Sequence, residues 1–396
     1  MTDEDRGSGF MPGGRASLPP ASGGPLAGLT FAAKDLYDVA GHPTTYGNPD
    51  WARTHPAAVA TAPAVLALAE AGARFLGKTK TVELAFGLTG ENVWYGTPVN
   101  PAVPDRFPGG SSCGSASVVA RGEADIALGS DTGGSVRIPA SYCGIYGIRP
   151  SWGSVSLVGA RPLAPSYDTA GWFAARASVL RLAGEVLLPE GGEAPLGPVI
   201  RVQEAWMNAQ PAVAAALIPA MEAVEKVLGP ALQLSLVPET LLELYEHFRA
   251  VQSEEAWATL GAWVAETNPQ FGPGVGERFA MARAMDPAKA RAGRAFRQHF
   301  RQRLMGLLGG GAVLIYPTSP LIAPKLGASA AEQLWVREVT LGVTAIAGMG
   351  GLCEVSIPAA TVEDAPVGLS LVAAPGRDRA LLALAEQVAE RMGLPL

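Results

Sequence analysis

Ala124-Asp125-Ile126-Ala127-Leu128-Gly129-Ser130-Asp131-Thr132-Gly133-Gly134-Ser135-Val136-Arg137-Ile138-Pro139 opens as a short apolar strand and runs straight into a glycine-rich loop. The glycines leave consecutive backbone N–H groups free to converge on one point, the geometry that holds an anion or a developing oxyanion. Ser135 stands at the end of that nest. A second reading of the same residues is a plain glycine turn in which Asp131 and Arg137 form a structural pair.

Outward from this stretch, residues 29–176 alternate short β-like runs, Gly/Pro turns and short helices, as an α/β layer does. Gly28-Leu29-Thr30-Phe31-Ala32-Ala33 reads as a strand. In 61–77 the residues Val65, Leu66, Leu68, Ala69 and Phe75 recur at a helical period, with Pro63 near the start and Gly77 at the end, so the pattern predicts one helix. Between 189 and 308 the character shifts to long amphipathic helices over 211–228, 238–266 and 286–308, a helical subregion inserted into the α/β body. Gly311-Ala312-Val313-Leu314-Ile315-Tyr316-Pro317 returns as a buried strand, followed by a strand over 367–373 and a helix over 378–392. The expected organisation is a loose Gly/Pro/Ser-rich leader over 1–28 and one domain over 29–396. Within it lie a catalytic core at 29–180, the helical substrate-side region at 189–308 and the return to the core at 309–396.

The composition narrows the function. With 396 residues, 48% hydrophobic and 17% charged, the chain can bury a large core, and its 48 glycines and 33 prolines disfavour long simple bundles. The net charge of −6 offers no basic field for nucleic acid or an anionic membrane. Asp3, Glu4 and Asp5 stand where a signal peptide carries positive charge, so a cytoplasmic protein is expected. Cys113, Cys143 and Cys353 are far apart, as are His42, His55, His247 and His299, which writes neither a disulfide framework nor a metal site. No metal and no organic cofactor is expected.

Two further segments carry chemistry. Gly109-Gly110-Ser111-Ser112-Cys113-Gly114-Ser115-Ala116-Ser117 reads as a small-residue loop capping a helix that runs towards Arg121. It is not a P-loop, for no Gly-Lys-Ser/Thr ends it. Within it Gly110-Ser111-Ser112-Cys113-Gly114 fits G-x-S-x-G, but that nucleophile elbow needs an apolar strand before it and this chain supplies Pro98, Pro101, Pro104 and Pro108. Lys34, in Thr30-Phe31-Ala32-Ala33-Lys34-Asp35-Leu36, is one of only six lysines against 24 arginines. Burial lowers a lysine pKa towards neutrality and makes it a base, which a guanidinium cannot become. The competing reading is a strand-end lysine paired with Asp35 or Asp38.

Taken together, Ala33-Lys34-Asp35, Gly109-Gly110-Ser111-Ser112 and Gly129 to Pro139, continuing through Cys143-Gly144 to Arg149-Pro150, resemble the amidase signature family of Ser-Ser-Lys amide hydrolases. Ser111 and Ser135 stand 24 positions apart, the family's separation of relay and nucleophile, which selects Ser111 over Ser112. The resemblance implies a mixed central β-sheet flanked by helices, with Ser135 as nucleophile, Ser111 (preceded by a cis peptide bond) as proton relay and Lys34 as base. It also implies an oxyanion hole of the Thr132, Gly133, Gly134 and Ser135 N–H groups, supported by Ser112, Asp131 and Arg137. Cys113 departs from the family's usual glycine. Tyr46-Gly47-Asn48-Pro49-Asp50-Trp51, Gly90-Glu91-Asn92, Tyr95-Gly96-Thr97-Pro98 and Ala164-Pro165-Ser166-Tyr167-Asp168-Thr169 look most like the indole-3-acetamide hydrolase branch, which implies a small aryl or hydrophobic primary amide as substrate. Trp94, Trp152, Trp172, Trp257 and Trp263 are candidate walls for its acyl group. The ammonia-producing component of a glutaminyl-tRNA amidotransferase would share fold and triad, but Glu83-Leu84-Ala85-Phe86 continues as Gly87-Leu88-Thr89 without that component's Gly-Ser-Ser-type segment. A non-catalytic receptor relative lacks the nucleophile and carries terminal helical repeats, whereas Ser135 is present here and the sequence stops at Leu396. A homodimer is compatible with all of this.

Overall fold

Eleven strands form one mixed sheet in the computed structural model, which describes residues 6–19, 21–191, 194–236 and 240–396. In chain order they are β1 (Phe10–Arg15), β2 (Thr30–Lys34), β3 (Arg74–Thr79), β4 (Ile126–Asp131), β5 (Tyr146–Arg149), β6 (Thr169–Ala174), β7 (Val199–Val202), β8 (Leu232–Leu234), β9 (Val313–Pro317), β10 (Cys353–Val362) and β11 (Ala365–Ala373). Across the sheet they run β1-β3-β2-β4-β6-β5-β10-β11-β9-β7-β8. β2 lies between β3 and β4, parallel to both, and β7 is parallel to β8 and β9. The remaining neighbours pair antiparallel, with β10 and β11 joined as a long hairpin. Helices cover the sheet, so β4, β5, β6, β9 and β11 are buried along their whole length. That explains their near-continuous apolar runs in place of strict alternation.

The α/β class and the mixed sheet expected from the sequence are found. Several elements differ in detail. The stretch 61–77 is a helix only over Pro63–Glu70, after which Ala71-Gly72 turns the chain and 74–79 becomes β3. Gly72 makes that turn at φ +98°, and a Cβ there would meet the Gly23 carbonyl at 2.5 Å. Short apolar runs satisfy helix and strand templates alike, and the partner strand β2 decides between them. The expected helix over 211–228 is two, Pro211–Ala216 and Ile218–Leu228, because Pro219 cannot continue the hydrogen-bond ladder. The helix at Leu241–Thr267 matches its prediction, although its expected start at Pro238 lies outside the described residues.

Two regional expectations need correction. The leader is not loose throughout: β1 pairs antiparallel with β3 and buries Phe10 and Met11, while Asp3, Glu4 and Asp5 lie outside the described residues. The region 189–308 is not purely helical, since β7 and β8 extend the sheet beyond β9. The helix Ala330–Gly350, not anticipated among alanines and glycines, is buried from Thr340 to Gly350 and packs against Leu241–Thr267.

Candidate active site

Lys34 ends β2, where β3 and β4 close over it from both sides and Phe31, Ala32 and Ala33 are buried with it. Its Nζ donates to Ser111 Oγ at 2.7 Å and to Ser130 Oγ at 2.8 Å. The alternative pairings are taken elsewhere: Asp35 holds Lys78 at 2.5 Å and Asp38 holds Arg161 at 2.8 Å. A fully buried ammonium facing only hydroxyls gives up its proton readily, and burial brings the Lys34 pKa down to about 7, with the more distant Asp131 and Asp168 charges opposing the shift.

Ser111 reaches Lys34 because the chain folds back before the helix Cys113–Ala120. Gly109 adopts φ +77°, and a side chain there would strike the Pro139 backbone at under 3 Å. The Gly110–Ser111 peptide is cis. The N–H of Ser112 donates to the Ser135 carbonyl at 3.2 Å, tying this loop to the nest, and the Ser112 hydroxyl bonds the Ser130 backbone. Ser112 therefore holds the two loops together, as a supporting residue, and no apolar strand precedes it as an elbow would require. Ser135 is nearly buried, and among the described residues its Oγ has no hydrogen-bond partner.

The nest is braced from beneath. Arg137 donates to both Asp131 oxygens, at 2.8 and 3.0 Å, and to Glu354 at 2.7 Å, while Arg149 reaches Asp131 Oδ1 at 3.0 Å. All four side chains are buried. Burial alone would raise the Asp131 pKa, but Arg137 and Arg149 hold it well below the usual carboxylate range. Asp131 also accepts the N–H groups of Gly134, Val136 and Arg137. This corrects one expected donor: the Gly134 N–H is engaged by Asp131 Oδ1 at 2.9 Å, because the carboxylate folds back three residues to satisfy it. The N–H groups of Thr132, Gly133 and Ser135 remain as candidate oxyanion donors. Thr344, from the helix Ala330–Gly350, donates to the Gly133 carbonyl at 2.6 Å, and Asp168 accepts from the Thr132 hydroxyl at 2.6 Å.

A recess beside Ser135 is lined by Phe86, Leu88, Leu163, Gln252 and Leu341. It shares Gly87, Leu88 and Arg337 with a larger cavity of about 560 Å³ between residues 82–93 and the helices Val275–Arg283 and Ala330–Gly350. None of the five candidate tryptophans lines either space. Trp172 is core, bonded to the Leu180 carbonyl, Trp152 is half exposed, and Trp94 donates to Glu83. The histidines stand apart too, with His55 stacked on Trp51 and His247 on Phe296. Ser130, Arg149, Glu354 and Thr344 were missed as site residues because their roles come from cross-strand register and helix docking. Ser130 and Arg149 had a signal, Ser130 lying in the nest stretch itself and Arg149 in the stretch that continues it.

The Amidase family matches residues 14–193 and 236–382. This chain belongs to it. Amidase 1 of Arabidopsis thaliana is 40% identical, over 96% of each chain. The translocon at the outer membrane of chloroplasts 64 of Pisum sativum is 36% identical, over 92% of this chain and 66% of its own. A solved amidase structure superposes with a TM-score of 0.83 at 34% identity, covering 93% of this chain and 86% of that one. The family acts on carbon–nitrogen bonds of amides, and this chain is such a hydrolase.

Proposed function

We propose that the protein hydrolyses a small primary amide, with an apolar or aryl acyl group, to a carboxylic acid and ammonia through an acyl-enzyme on Ser135. The observation that carries the reading is the contact between Lys34 Nζ and Ser111 Oγ, a buried amine with no carboxylate partner. In its neutral form Nζ has a lone pair to accept the Ser111 proton while still donating to Ser130. Ser111 then accepts the proton of Ser135 as Oγ attacks the amide carbonyl. The oxyanion meets the N–H groups of Thr132, Gly133 and Ser135. The proton returns through Ser111 to the departing nitrogen, the C–N bond breaks, and ammonia leaves. Water activated by the same relay cleaves the ester, releases the acid and restores Ser135.

Phe86, Leu88, Leu163 and Leu341 suit an apolar acyl group. A cytoplasmic setting belongs to the same proposal and is supported by three buried, unbridged thiols. No helix among the described residues is long and apolar enough to cross a membrane.

A serine-reactive fluorophosphonate followed by peptide mapping should label Ser135, and labelling at Ser112 would overturn the assignment. In a primary-amide screen read by ammonia release, arylacetamides should exceed peptides and long-chain lipid amides. Fatty amides as best substrates by kcat/KM would refute the acyl-group assignment.

A further inference from the structure

Two arginines in the cavity next to the Ser135 recess have no hydrogen-bond or ion-pair partner among the described residues. Arg278, on the helix Val275–Arg283, and Arg337, on Ala330–Gly350, flank the Phe86 ring with each guanidinium 5.8 Å from its centre. Among the described residues neither forms a hydrogen bond or an ion pair, and the Arg278 Nε is buried without an acceptor. Burial and then the Arg337 charge depress the Arg278 guanidinium pKa to about 9 against Glu277, Glu83 and Glu91, while burial and the Arg249 charge depress that of Arg337 against Tyr245 and Glu338. The fully buried Arg137 and Arg149 are instead engaged by Asp131, Glu354 and backbone carbonyls, although the Arg149 Nε also lacks an acceptor.

The carboxylates nearby do not neutralise the pair. Glu83 is occupied by Asn48, the Trp94 indole and the Gly272 N–H, and burial raises its pKa. Glu91 is half-buried, Glu277 exposed and Glu338 half-buried, and none of them forms an ion pair with either arginine. Two half-buried guanidinium groups lining one cavity with no ion-pair partner leave an excess of positive charge there, which a bound anion neutralises. Their planar forks fit a carboxylate, which each can grip with two N–H groups. Arg337 lines both the cavity and the Ser135 recess, so the two spaces meet at its side chain. Gln252, nearly buried and without a hydrogen-bond partner among the described residues, presents an amide to the recess.

We propose that the acyl group carries a carboxylate held by Arg278 and Arg337, so that the substrate is the monoamide of a dicarboxylic acid with an apolar body between its two ends. This rests on Ser135 as the nucleophile. Phe86 and Leu88 face the body, and Gln252 orients the carboxamide. Hydrolysis adds one water across the C–N bond and yields a dicarboxylate and ammonia, with no oxidant or reductant.

The test compares phenylacetamide with its meta- and para-carboxy derivatives by ammonia release, in the intact protein and in Arg278→Gln, Arg337→Gln and the double variant. At least one carboxylated amide should be preferred over phenylacetamide by 10-fold or more in kcat/KM, and each single variant should cut that ratio at least 5-fold through KM. In Arg337→Lys, which keeps the charge but loses the fork, part of the preference should return. A wild-type preference for phenylacetamide over both derivatives would overturn the proposal, as would a preference that survives in the folded double variant. Either result with phenylacetamide still hydrolysed and Ser135 still labelled leaves the amidase reading standing. Should no amide be turned over, calorimetry with the corresponding dicarboxylates decides: binding lost in the double variant supports the arginine pair, and equal or absent binding in both proteins refutes it.

Discussion

Lys34 is where sequence chemistry and burial meet most directly. The amine lies under the sheet facing two hydroxyls, and its pKa of about 7 in the folded protein stands against an ordinary value near 10.5. Between those values the unfolded chain binds more protons than the folded one, so stability rises with pH across that window. The cost is fully present below about pH 7 and gone above the unfolded pKa, at about 1.4 kcal/mol for each unit of depression. Lys34→Met should therefore raise the Tm at pH 6 and lose that advantage towards pH 10, as calorimetry will show. Its kcat should fall by a factor on the order of 10³ or more, as loss of a general base in a coupled relay does. Lys34→Arg should be equally inactive because the charge cannot be shed, and the wild-type rate should climb with pH through an apparent pKa near 7. A folded, active Lys34→Arg protein would refute the base.

At the scale of elements, the site depends on bracing that reaches far along the chain. Asp131 on β4, Arg137 on the helix after the nest, Arg149 on β5 and Glu354 on β10 form one buried charge network. Asp131→Asn leaves two buried guanidinium groups undercompensated and should cost about 3–5 kcal/mol, read as a large fall in Tm with loss of activity even where the protein folds. Glu354→Gln should cost less, because Arg137 keeps Asp131 and the Thr344 carbonyl. The edge strand β1 allows a different check. Removing residues 1–15 uncovers the β3 edge and takes away buried Phe10 and Met11, each worth about 1.5–3 kcal/mol, so the shortened chain should melt earlier and aggregate more readily. An unchanged Tm would return that stretch to a loose leader.

For the whole molecule, the chemistry assigned to Lys34, Ser111 and Ser135 draws on side chains and backbone N–H groups alone. Among the described residues no group of three or more His, Cys, Asp and Glu is arranged to hold a metal ion. Exhaustive EDTA treatment should leave turnover unchanged, and a loss restored by added zinc would contradict the mechanism. The sheet provides the reach: parallel pairing of β2 with β4 sets Lys34 beside Ser130, while the β10–β11 hairpin carries Glu354 under the nest.

What the sequence determined by itself was local and chemical. The glycine nest and the scarce lysine at a strand end were legible because backbone freedom and side-chain reactivity are written within a few residues, while the choice of Ser111 at its spacing from Ser135 came from the family resemblance. The α/β class followed from alternating apolar runs and turns, as did the helix over 378–392. Tertiary structure decided what depends on partners distant in the chain. Residues 74–79 became a strand because β2 was there to pair with them, and 10–15 joined the sheet because the β3 edge stood open. Asp131 claimed the Gly134 N–H because Arg137 and Arg149 fixed its carboxylate in place. Gln252, Arg278 and Arg337 gave no signal, since three separate helices must dock before Gln252 and Arg337 reach the Ser135 recess and Arg278 joins Arg337 in the cavity beside it.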